Sequence, residues 1–270
     1  MSSSEDIKKR INFFKAAISL LLILALLFNL YVLIKRLIDK NNLESEIEEI
    51  NDVIGIEQPR NENIAVNSSP DEPNTDYFNY LKISADSVDI KKLKRINSDT
   101  VGFLSISGTN INYPVVQSAD NKFYLNHSFK KASNSSGWLF MDYRNNSESF
   151  GKNTIIYGHS NLDKTMLGSL SNVKSEEWRK NPLNGKIKFV NLSGITNWKI
   201  ISVYTIPAES YYIKTDFKSS ESFKNWLGEI SKRSLCDFGY EISSDDKIMT
   251  FSTCYKDNGD IRLVVHAKKI

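Results

Sequence analysis

A run of nineteen uncharged residues near the N-terminus, Ala16 to Ile34, limits what this chain can fold into. A helix formed by this run is roughly 28 Å long at about 1.5 Å per residue, close to the thickness of a bilayer's hydrocarbon core. A helix packed in the core of a soluble domain normally carries a polar stripe, and this run has none. The sequence therefore predicts a transmembrane helix at residues 16–34.

The alternative to an uncleaved anchor is a signal peptide, which has a shorter apolar core and a small-residue cleavage site. The run is followed here by Lys35, Arg36 and Leu37, so we expect it to stay in the mature protein. Basic residues flank the run on both sides with a small excess before it, which favours a cytoplasmic N-terminus. We thus expect a single-pass protein of the cell membrane, with residues 1–15 in the cytoplasm and the folded domain outside the cell.

Residues 35–75 are predicted to form a stalk and linker between the anchor and the folded domain. A short amphipathic helix is expected first, because apolar residues recur at helical spacing at Leu43, Ile47, Ile50 and Ile54. Residues 59–74 are rich in Asn, Pro, Ser and acidic residues, a composition typical of a flexible linker. The folded domain is therefore expected at residues 76–270, which is long enough for one substantial core.

Eight short segments rich in Val, Ile, Tyr and Phe follow residue 100 and are separated by turn residues. They are Val101–Ser107, Asn112–Val116, Gly137–Met141, Asn153–Tyr157, Ile187–Val190, Trp198–Tyr204, Lys247–Thr253 and Ile261–Ala267. Few helices lie between them, so the chain is predicted to be mainly β, with a closed or nearly closed eight-stranded barrel.

Helices are expected at two places around this barrel. Before it, Tyr77–Leu81 and Val88–Ile96 have helical character. Within the long insertion between the sixth and seventh strands, apolar residues follow the i, i+3, i+4, i+7 rule at Phe223, Trp226, Leu227 and Ile230. Ser219 or Ser220 would cap the start of this helix. Long insertions in compact domains are often functional.

Composition excludes several classes of function. The net charge of +3 is small and the basic residues are spread along the chain, so nothing indicates a nucleic-acid partner. The two cysteines, Cys236 and Cys254, are too few for a disulfide framework or a structural zinc site, although they could pair with each other outside the cell. The sequence has no metal-ligand spacing of His or Cys residues, so we expect no metal and no other cofactor. It also has no Gly-x-Ser-x-Gly elbow, which argues against a serine hydrolase.

The last two predicted strands place a thiol beside a cation. Asn258-Gly259 is a strong hairpin signal, and a hairpin here sets Cys254 at the end of one strand opposite Arg262 at the start of the next. A nearby cation favours the nucleophilic thiolate, and Arg is also a permanent donor for an oxyanion.

Acyl transfer also needs a group that protonates the leaving amine, usually a histidine. His159 follows the apolar strand ending at Tyr157, at a strand end where active sites gather. His127 has the surroundings of an ordinary loop residue, and His266 lies inside the last strand at a packing or edge position. His159 is therefore the preferred candidate.

These residues lie in segments that resemble the sortase family. Thr-Phe-Ser-Thr-Cys at residues 250–254 resembles the sortase Thr-Leu-x-Thr-Cys signature, with Phe251 in place of Leu. Tyr-Gly-His at residues 157–159 resembles the sortase histidine segment, and the strand beginning at Arg262 resembles the arginine strand. Blocks at residues 108–117, 120–125 and 140–144 are similar to class B sortases in particular. The resemblance covers about residues 88–268, with its blocks in the family's order.

The resemblance implies a sortase barrel on the outer face of a Gram-positive cell membrane and a cysteine transpeptidase activity. Cys254 would attack the Thr carbonyl of a C-terminal sorting motif, often similar to Asn-Pro-x-Thr-Asn in class B, and form a thioester. His159 would protonate the leaving amine, and Arg262 would hold the substrate backbone or the oxyanion. The partners would be surface proteins that carry this motif and an amine of a lipid II-type cell-wall precursor.

Positions carried over from the family imply a substrate groove. They are Asn121, Leu125, Ser252, Tyr212 and Ile213. Asp257 and Asp260 are the nearest candidates for an acidic helper after the cysteine, and we assign neither a role.

Two other functions are compatible with the sequence. A hydrolytic cysteine protease would use the same residues with water as acceptor, and a tethered binding or scaffold domain would use none of them catalytically.

Overall fold

The computed structural model describes residues 2–55, 88–254 and 261–270; side chains are described from residue 12 onward, and Cys254 by its backbone alone. The predicted linker at 59–74, the predicted helix at Tyr77–Leu81 and the predicted turn at Asn258-Gly259 lie outside these residues. So does the expected start of the folded domain.

One continuous α-helix, α1, runs from Ser2 to Ile54. No Gly or Pro occurs before Gly55, whose φ of 75° is typical of a residue that ends a helix. The amphipathic segment predicted after the anchor is therefore the C-terminal part of α1 rather than a separate helix, because nothing interrupts the hydrogen-bond ladder before it. The helix is long and apolar enough to span a membrane.

The chain divides into two compact units, residues 1–44 and residues 45–270. Within the second unit, the end of α1 contacts the loop that follows residue 125. Glu46 accepts a hydrogen bond from the main-chain amide of Lys130, and Glu49 forms an ion pair with the Lys130 ammonium. Ile50 and Ile54 are buried. Burial raises the pKa of the Glu46 carboxyl although its hydrogen bonds oppose the change.

The barrel has eight strands, as predicted. They are β1 (Thr100–Ile106), β2 (Asn112–Val116), β3 (Phe140–Met141), β4 (Asn153–His159), β5 (Lys186–Asn191), β6 (Gly194–Pro207), β7 (Ile248–Cys254) and β8 (Ile261–Lys269). They close in the order β1-β2-β3-β4-β7-β8-β6-β5. The β2–β3 and β4–β7 pairs are parallel, and the others are antiparallel.

Shorter helices surround the barrel. The α-helices are α2 (Ile90–Ile96), α3 (Glu176–Lys180) and α4 (Ser220–Lys232), and the 3₁₀ helices are η1 (Phe123–Leu125), η2 (Gly168–Lys174) and η3 (Tyr211–Ile213). The insertion helix predicted around Phe223–Ile230 is α4. Ser219 is its N-cap and forms a reciprocal capping box with Ser222.

Two strands differ from the prediction by three residues or more, for physical reasons. The strand predicted at Gly137–Met141 is reduced to the two residues of β3, because Gly137 has a φ of 57° and the amide of Trp138 bonds the carbonyl of Tyr124 in a loop. Strand β6 is longer than predicted at both ends, because residues 194–197 pair with β5 and residues 205–207 pair with β8 even where their side chains are exposed.

Helix α4 covers the outer face of three strands. Its buried side chains Phe223, Trp226, Leu227 and Ile230 pack in one cluster with buried residues of β6, β7 and β8 and with Tyr212 of η3. The cluster between α4 and the strands is a second apolar layer, outside the barrel and distinct from the core in its interior. It also fixes the insertion against β7 and β8, the strands of Cys254 and Arg262.

Candidate active site

Three neighbouring strands bring the three predicted catalytic residues into one row. In the parallel β4–β7 pair, His159 is the register partner of Cys254, and in the antiparallel β7–β8 pair, Cys254 is the register partner of Arg262. Adjacent strands lie about 4.8 Å apart, so the three backbones are direct neighbours. The prediction that Cys254 lies opposite Arg262 on neighbouring strands is confirmed. The parallel β4–β7 pair places His159 on the other side of Cys254.

Burial along the outer face of these strands decreases toward this row. Thr250 pairs with His266 and both are fully buried, and Ser252 pairs with Val264, also buried. Strand alternation assigns position 254 to the same face. Beyond these rows His159 and Arg262 are partly exposed. His159 and Arg262 therefore lie where the covered face opens toward solvent.

A main-chain contact orients the His159 ring. Its Nε2 lies 2.7 Å from the carbonyl oxygen of Leu125, the last residue of η1. A carbonyl oxygen only accepts, so Nε2 carries a proton in this contact, and Nδ1 is the nitrogen that exchanges a proton in the neutral ring. Leu125, predicted as a groove residue, thus lies beside the imidazole, with 37% of its surface exposed.

Gly137 allows this contact. A Cβ at this position would lie 2.7 Å from the carbonyl oxygens of Tyr124 and Leu125 and 2.9 Å from Cδ2 of His159. Its φ of 57° is also a conformation that residues other than Gly rarely adopt. Only Gly lets the main chain pass this close to the imidazole.

A buried carboxylate next to this row gathers several polar groups. The Asp142 side chain is fully buried and accepts hydrogen bonds from Asn121 Nδ2 at 2.9 Å and from the Tyr157 hydroxyl at 2.9 Å. The Arg144 guanidinium binds both of its oxygens, Nε at 2.8 Å and Nη2 at 2.6 Å. Tyr157 precedes His159 by two residues on β4 and lies on the same face.

The charges of this cluster are fixed at neutral pH. Burial disfavours the Asp142 carboxylate, but hydrogen bonds from the Arg144 side chain and amide and from Tyr157 outweigh it and lower its pKa. Burial, followed by the charge of Asp142, raises the pKa of the Tyr157 phenol. The pKa of Arg144 is raised by its hydrogen bonds to Asp142. Asp142 and Arg144 therefore form an ion pair around which Tyr157 remains a donor.

The other predicted groove residues lie on the insertion side of the same region. The Tyr212 hydroxyl is 3.4 Å from Ser252 Oγ, and both residues are largely buried. The carbonyl of Ile213 accepts a hydrogen bond of 3.0 Å from Arg144 Nη2. Asn121 uses both ends of its amide, since Tyr143 donates its main-chain amide to Asn121 Oδ1. The structure thus places all five predicted groove residues around the row, and it links Asn121 and Ile213 through Asp142 and Arg144.

A buried hydrogen-bond chain lies beneath the row. Tyr211 donates to the Tyr204 hydroxyl at 2.9 Å, which lies 2.8 Å from His266 Nε2. His266 Nδ1 is 2.8 Å from Thr250 Oγ1, which donates to Asn153 Oδ1 at 2.6 Å. His266 is fully buried, and burial lowers its pKa to about 3. The packing position predicted for His266 is confirmed.

Four residues of the region were not predicted to have a role: Gly137, Asp142, Arg144 and Asn153. A charged pair directly after the apolar residues Phe140-Met141 was the available sequence signal for Asp142 and Arg144. Nothing local distinguishes Gly137 or Asn153, because their contacts are with segments distant in the chain. Cys236, the second cysteine, is a free thiol. Among the described side chains, no group of three or more His, Cys, Asp or Glu residues has the geometry of a metal site.

Comparison with known proteins matches residues 104–270 to the sortase domain family. The chain is 36% identical over 186 residues to sortase B of Listeria monocytogenes and 35% identical over 183 residues to sortase B of Staphylococcus aureus, covering 67% of this chain and 74% of each relative. Among solved structures, Clostridium perfringens sortase B is similar with a TM-score of 0.63 and 36% identity, over 67% of this chain and 100% of that one. A Staphylococcus aureus sortase B–substrate complex is similar with a TM-score of 0.63 and 34% identity, over 67% and 84%.

Proposed function

Because this chain belongs to the sortase family and is a class B cysteine transpeptidase, we propose that Cys254 is its nucleophile, His159 its acid and base, and Arg262 its oxyanion-stabilising cation. The observation that carries the proposal is the shared register row of the three residues on β4, β7 and β8. A thiolate between an imidazole and a guanidinium has the activation that cysteine nucleophiles require.

The proposed reaction has two acyl-transfer steps. The Cys254 thiolate attacks the Thr carbonyl of the sorting motif, and the tetrahedral oxyanion is stabilised by Arg262. The C–N bond then breaks, the departing amine takes a proton from His159, and a thioester remains on Cys254. An acceptor amine gives a proton to His159 and attacks the thioester, which forms a new amide and releases the thiolate.

The proposed substrate is a C-terminal sorting motif of the Asn-Pro-x-Thr-Asn kind or a related Pro-x-Thr motif. A substrate complex is known for the Staphylococcus aureus relative, which supports a substrate-binding site on this chain. Asn121, Leu125, Ser252, Tyr212 and Ile213 would line that groove. The acceptor would be the amine of a lipid II-type peptidoglycan precursor, and the joined proteins would be surface proteins.

We further propose that residues 16–34 anchor the protein, with residues 1–15 in the cytoplasm. Residues 35–75 would form a stalk, and residues 76–270 the extracellular catalytic domain. The continuous helix α1 supports an anchor, since it is long and apolar enough to span a bilayer. Cysteine labelling at Ser4 and at Ser244 in intact cells tests the orientation, with both variants made in a Cys236→Ala, Cys254→Ala background so that the introduced thiol is the only one. A membrane-impermeant reagent should label Ser244→Cys and not Ser4→Cys, and the opposite pattern would contradict the topology.

The activity is tested with the full-length protein in detergent and a quenched fluorescent peptide that contains Asn-Pro-x-Thr-Asn. Cleavage is followed by fluorescence, and the products are analysed by mass spectrometry with and without a primary-amine acceptor peptide. We expect the acceptor to be incorporated after Thr. Products that never contain the amine would instead identify a hydrolase.

Cysteine variants test the assignment of the nucleophile. Cys254→Ala should abolish both turnover and the thioester adduct seen by mass spectrometry. Cys236→Ala is the matched control, because it removes the other thiol, and it should keep wild-type turnover. Normal activity of Cys254→Ala would reject the proposed mechanism, whereas absence of any turnover in wild type would favour a binding role.

A further inference from the structure

The Asp142 carboxylate has more partners than a surface ion pair needs. It accepts five hydrogen bonds: three from Arg144, including the main-chain amide at 3.0 Å, and one each from Asn121 and Tyr157. A fully buried carboxylate is costly unless it is paired and hydrogen-bonded throughout, so this arrangement exists only with its partners in place.

Side chains of the barrel also hold three consecutive carbonyls of the insertion. Arg144 Nη2 donates to the Ile213 carbonyl at 3.0 Å. Asn153 Nδ2 lies 3.3 Å from the Tyr212 carbonyl and 2.8 Å from the Lys214 carbonyl and donates to both. A 3₁₀ helix of three residues cannot satisfy its own last carbonyls, so η3 depends on these donors for its position.

Asp142 therefore connects two segments that lie about ninety residues apart in the chain, the loop carrying Asn121 and the helix η3. Through the Tyr157 hydroxyl, it also connects both to β4, two residues before His159. Loss of both charges would weaken the hold on Asn121 and free the Ile213 carbonyl together. Tyr143 would still donate to Asn121 Oδ1, and Asn153 would still hold the carbonyls of Tyr212 and Lys214.

We propose that Asp142 and Arg144 are positioning residues that join the two sides of the peptide groove and set its affinity for the sorting motif. The inference rests on the proposed function, because it takes Asn121, Tyr212 and Ile213 as groove residues. Neither Asp142 nor Arg144 takes part in acyl transfer. Their effect is on how tightly the peptide is held before Cys254 attacks.

The test compares Arg144→Gln with a double variant, Asp142→Asn with Arg144→Gln. The double variant removes both charges together and leaves no unpaired buried carboxylate, so it keeps the proposal testable if the single variant folds poorly. Arg179→Gln is the matched control. Its guanidinium also caps main-chain carbonyls, those of Val173 and Lys174 at 2.9 and 2.6 Å, but outside the Asp142 cluster.

Steady-state kinetics with the sorting peptide give the first measurement. Loss of the charge-assisted bonds should raise KM about tenfold in both Arg144 variants, with kcat changed by less than about threefold. The rate of Cys254 alkylation by iodoacetamide, followed on its tryptic peptide, should not change. Arg179→Gln should leave all three quantities at wild-type values.

Amide hydrogen exchange gives a measurement that does not need activity. Exchange at residues 211–215 should be faster in the Arg144 variants than in wild type, while exchange in β4 and β7 should be unchanged. Unchanged KM or unchanged exchange at 211–215 would overturn the proposal, and so would equal losses in kcat, alkylation rate and thermal stability. If wild type cleaves no sorting peptide, the proposed function fails. The exchange measurement would still show whether Asp142 and Arg144 hold helix η3 in place.

Discussion

His266 makes the barrel sensitive to acid. The Thr250 hydroxyl donates to Asn153 Oδ1, so it accepts a hydrogen bond from Nδ1–H of His266. The Tyr204 hydroxyl accepts from Tyr211, so it donates to Nε2 of His266. The chain of donors is complete only with a neutral imidazole protonated at Nδ1. Protonation of Nε2 would place two donors against each other in a fully buried site.

The size of the effect follows from the two pKa values. The folded-state pKa of His266 is about 3, whereas the ordinary value is 6.5. The unfolded chain binds more protons than the folded chain between these values, so stability falls as the pH is lowered through this window. The slope reaches about 1.4 kcal/mol per pH unit. Integrated from pH 7 to pH 4.5, the loss in free energy of unfolding is about 2.5 kcal/mol.

Urea unfolding between pH 7 and pH 4.5, followed by tryptophan fluorescence, measures this loss. All four tryptophans lie between residues 138 and 226, so the signal reports the barrel and its insertion and not helix α1. The comparison is with His266→Gln, an uncharged side chain of similar length. The variant should be less stable at pH 7, and its free energy of unfolding should depend less steeply on pH than that of wild type.

The difference between wild type and variant isolates His266. Glu46, with its raised pKa, has the opposite pH dependence, and its contribution is common to both proteins. Asp142 has a lowered pKa, so its stabilising contribution is lost only as the pH falls below about 3.8, outside the measured range. Equal slopes for the two proteins, within about 0.3 kcal/mol per pH unit, would refute the assignment to His266.

Three further substitutions, the first with a control variant, test the packing beside His159 and the stability of helix α4. Gly137→Ala should cost about 1–3 kcal/mol of stability in thermal unfolding and should also lower kcat, because its Cβ displaces the His159 ring. Gly151→Ala, where a Cβ meets no atom within 4 Å, should change neither, and equal effects of the two would contradict the explanation. Ser219→Ala should lower the free energy of unfolding by about 1 kcal/mol through loss of the capping box, and an unchanged urea midpoint would argue against it. Gly228→Ala, in an open position on α4, should raise the free energy of unfolding by about 0.5–1 kcal/mol. A lower urea midpoint than that of wild type would contradict this, because it would mean that the added Cβ meets a clash the structure does not contain.

Local sequence patterns were sufficient to locate the eight strands and the insertion helix, although not to give the lengths of β3 and β6. Strand β2 is observed with the predicted bounds, and α4 contains all four residues that defined its apolar face. These features depend on the period of apolar residues and on a capping serine, which are properties of short segments. The continuity of α1 could have been predicted as well, since the absence of Gly and Pro before Gly55 is visible in the sequence.

Long-range pairing was the part that local patterns did not contain. The hairpin signal placed Cys254 beside Arg262, because a hairpin joins neighbouring strands. The pairing of His159 with Cys254 joins strands about ninety residues apart, and either strand alone is compatible with several partners. The contacts of Asp142 with Asn121 and, through Arg144, with Ile213 are likewise set by closure of the barrel.

The face that carries the site explains how two histidines on the strands that flank β7, His159 on β4 and His266 on β8, have opposite properties. Position 250, beside His266, lies four residues before position 254, or about 13 Å along β7. At the first position α4 and η3 exclude water, so burial keeps His266 neutral and it serves only as a hydrogen-bond partner. At the second position the cover has ended and His159 is partly exposed. A group that gives and takes a proton in each turnover needs this second environment, because both of its charge states must be accessible. The extent of the α4 layer therefore decides which histidine of the barrel is available for acid–base chemistry.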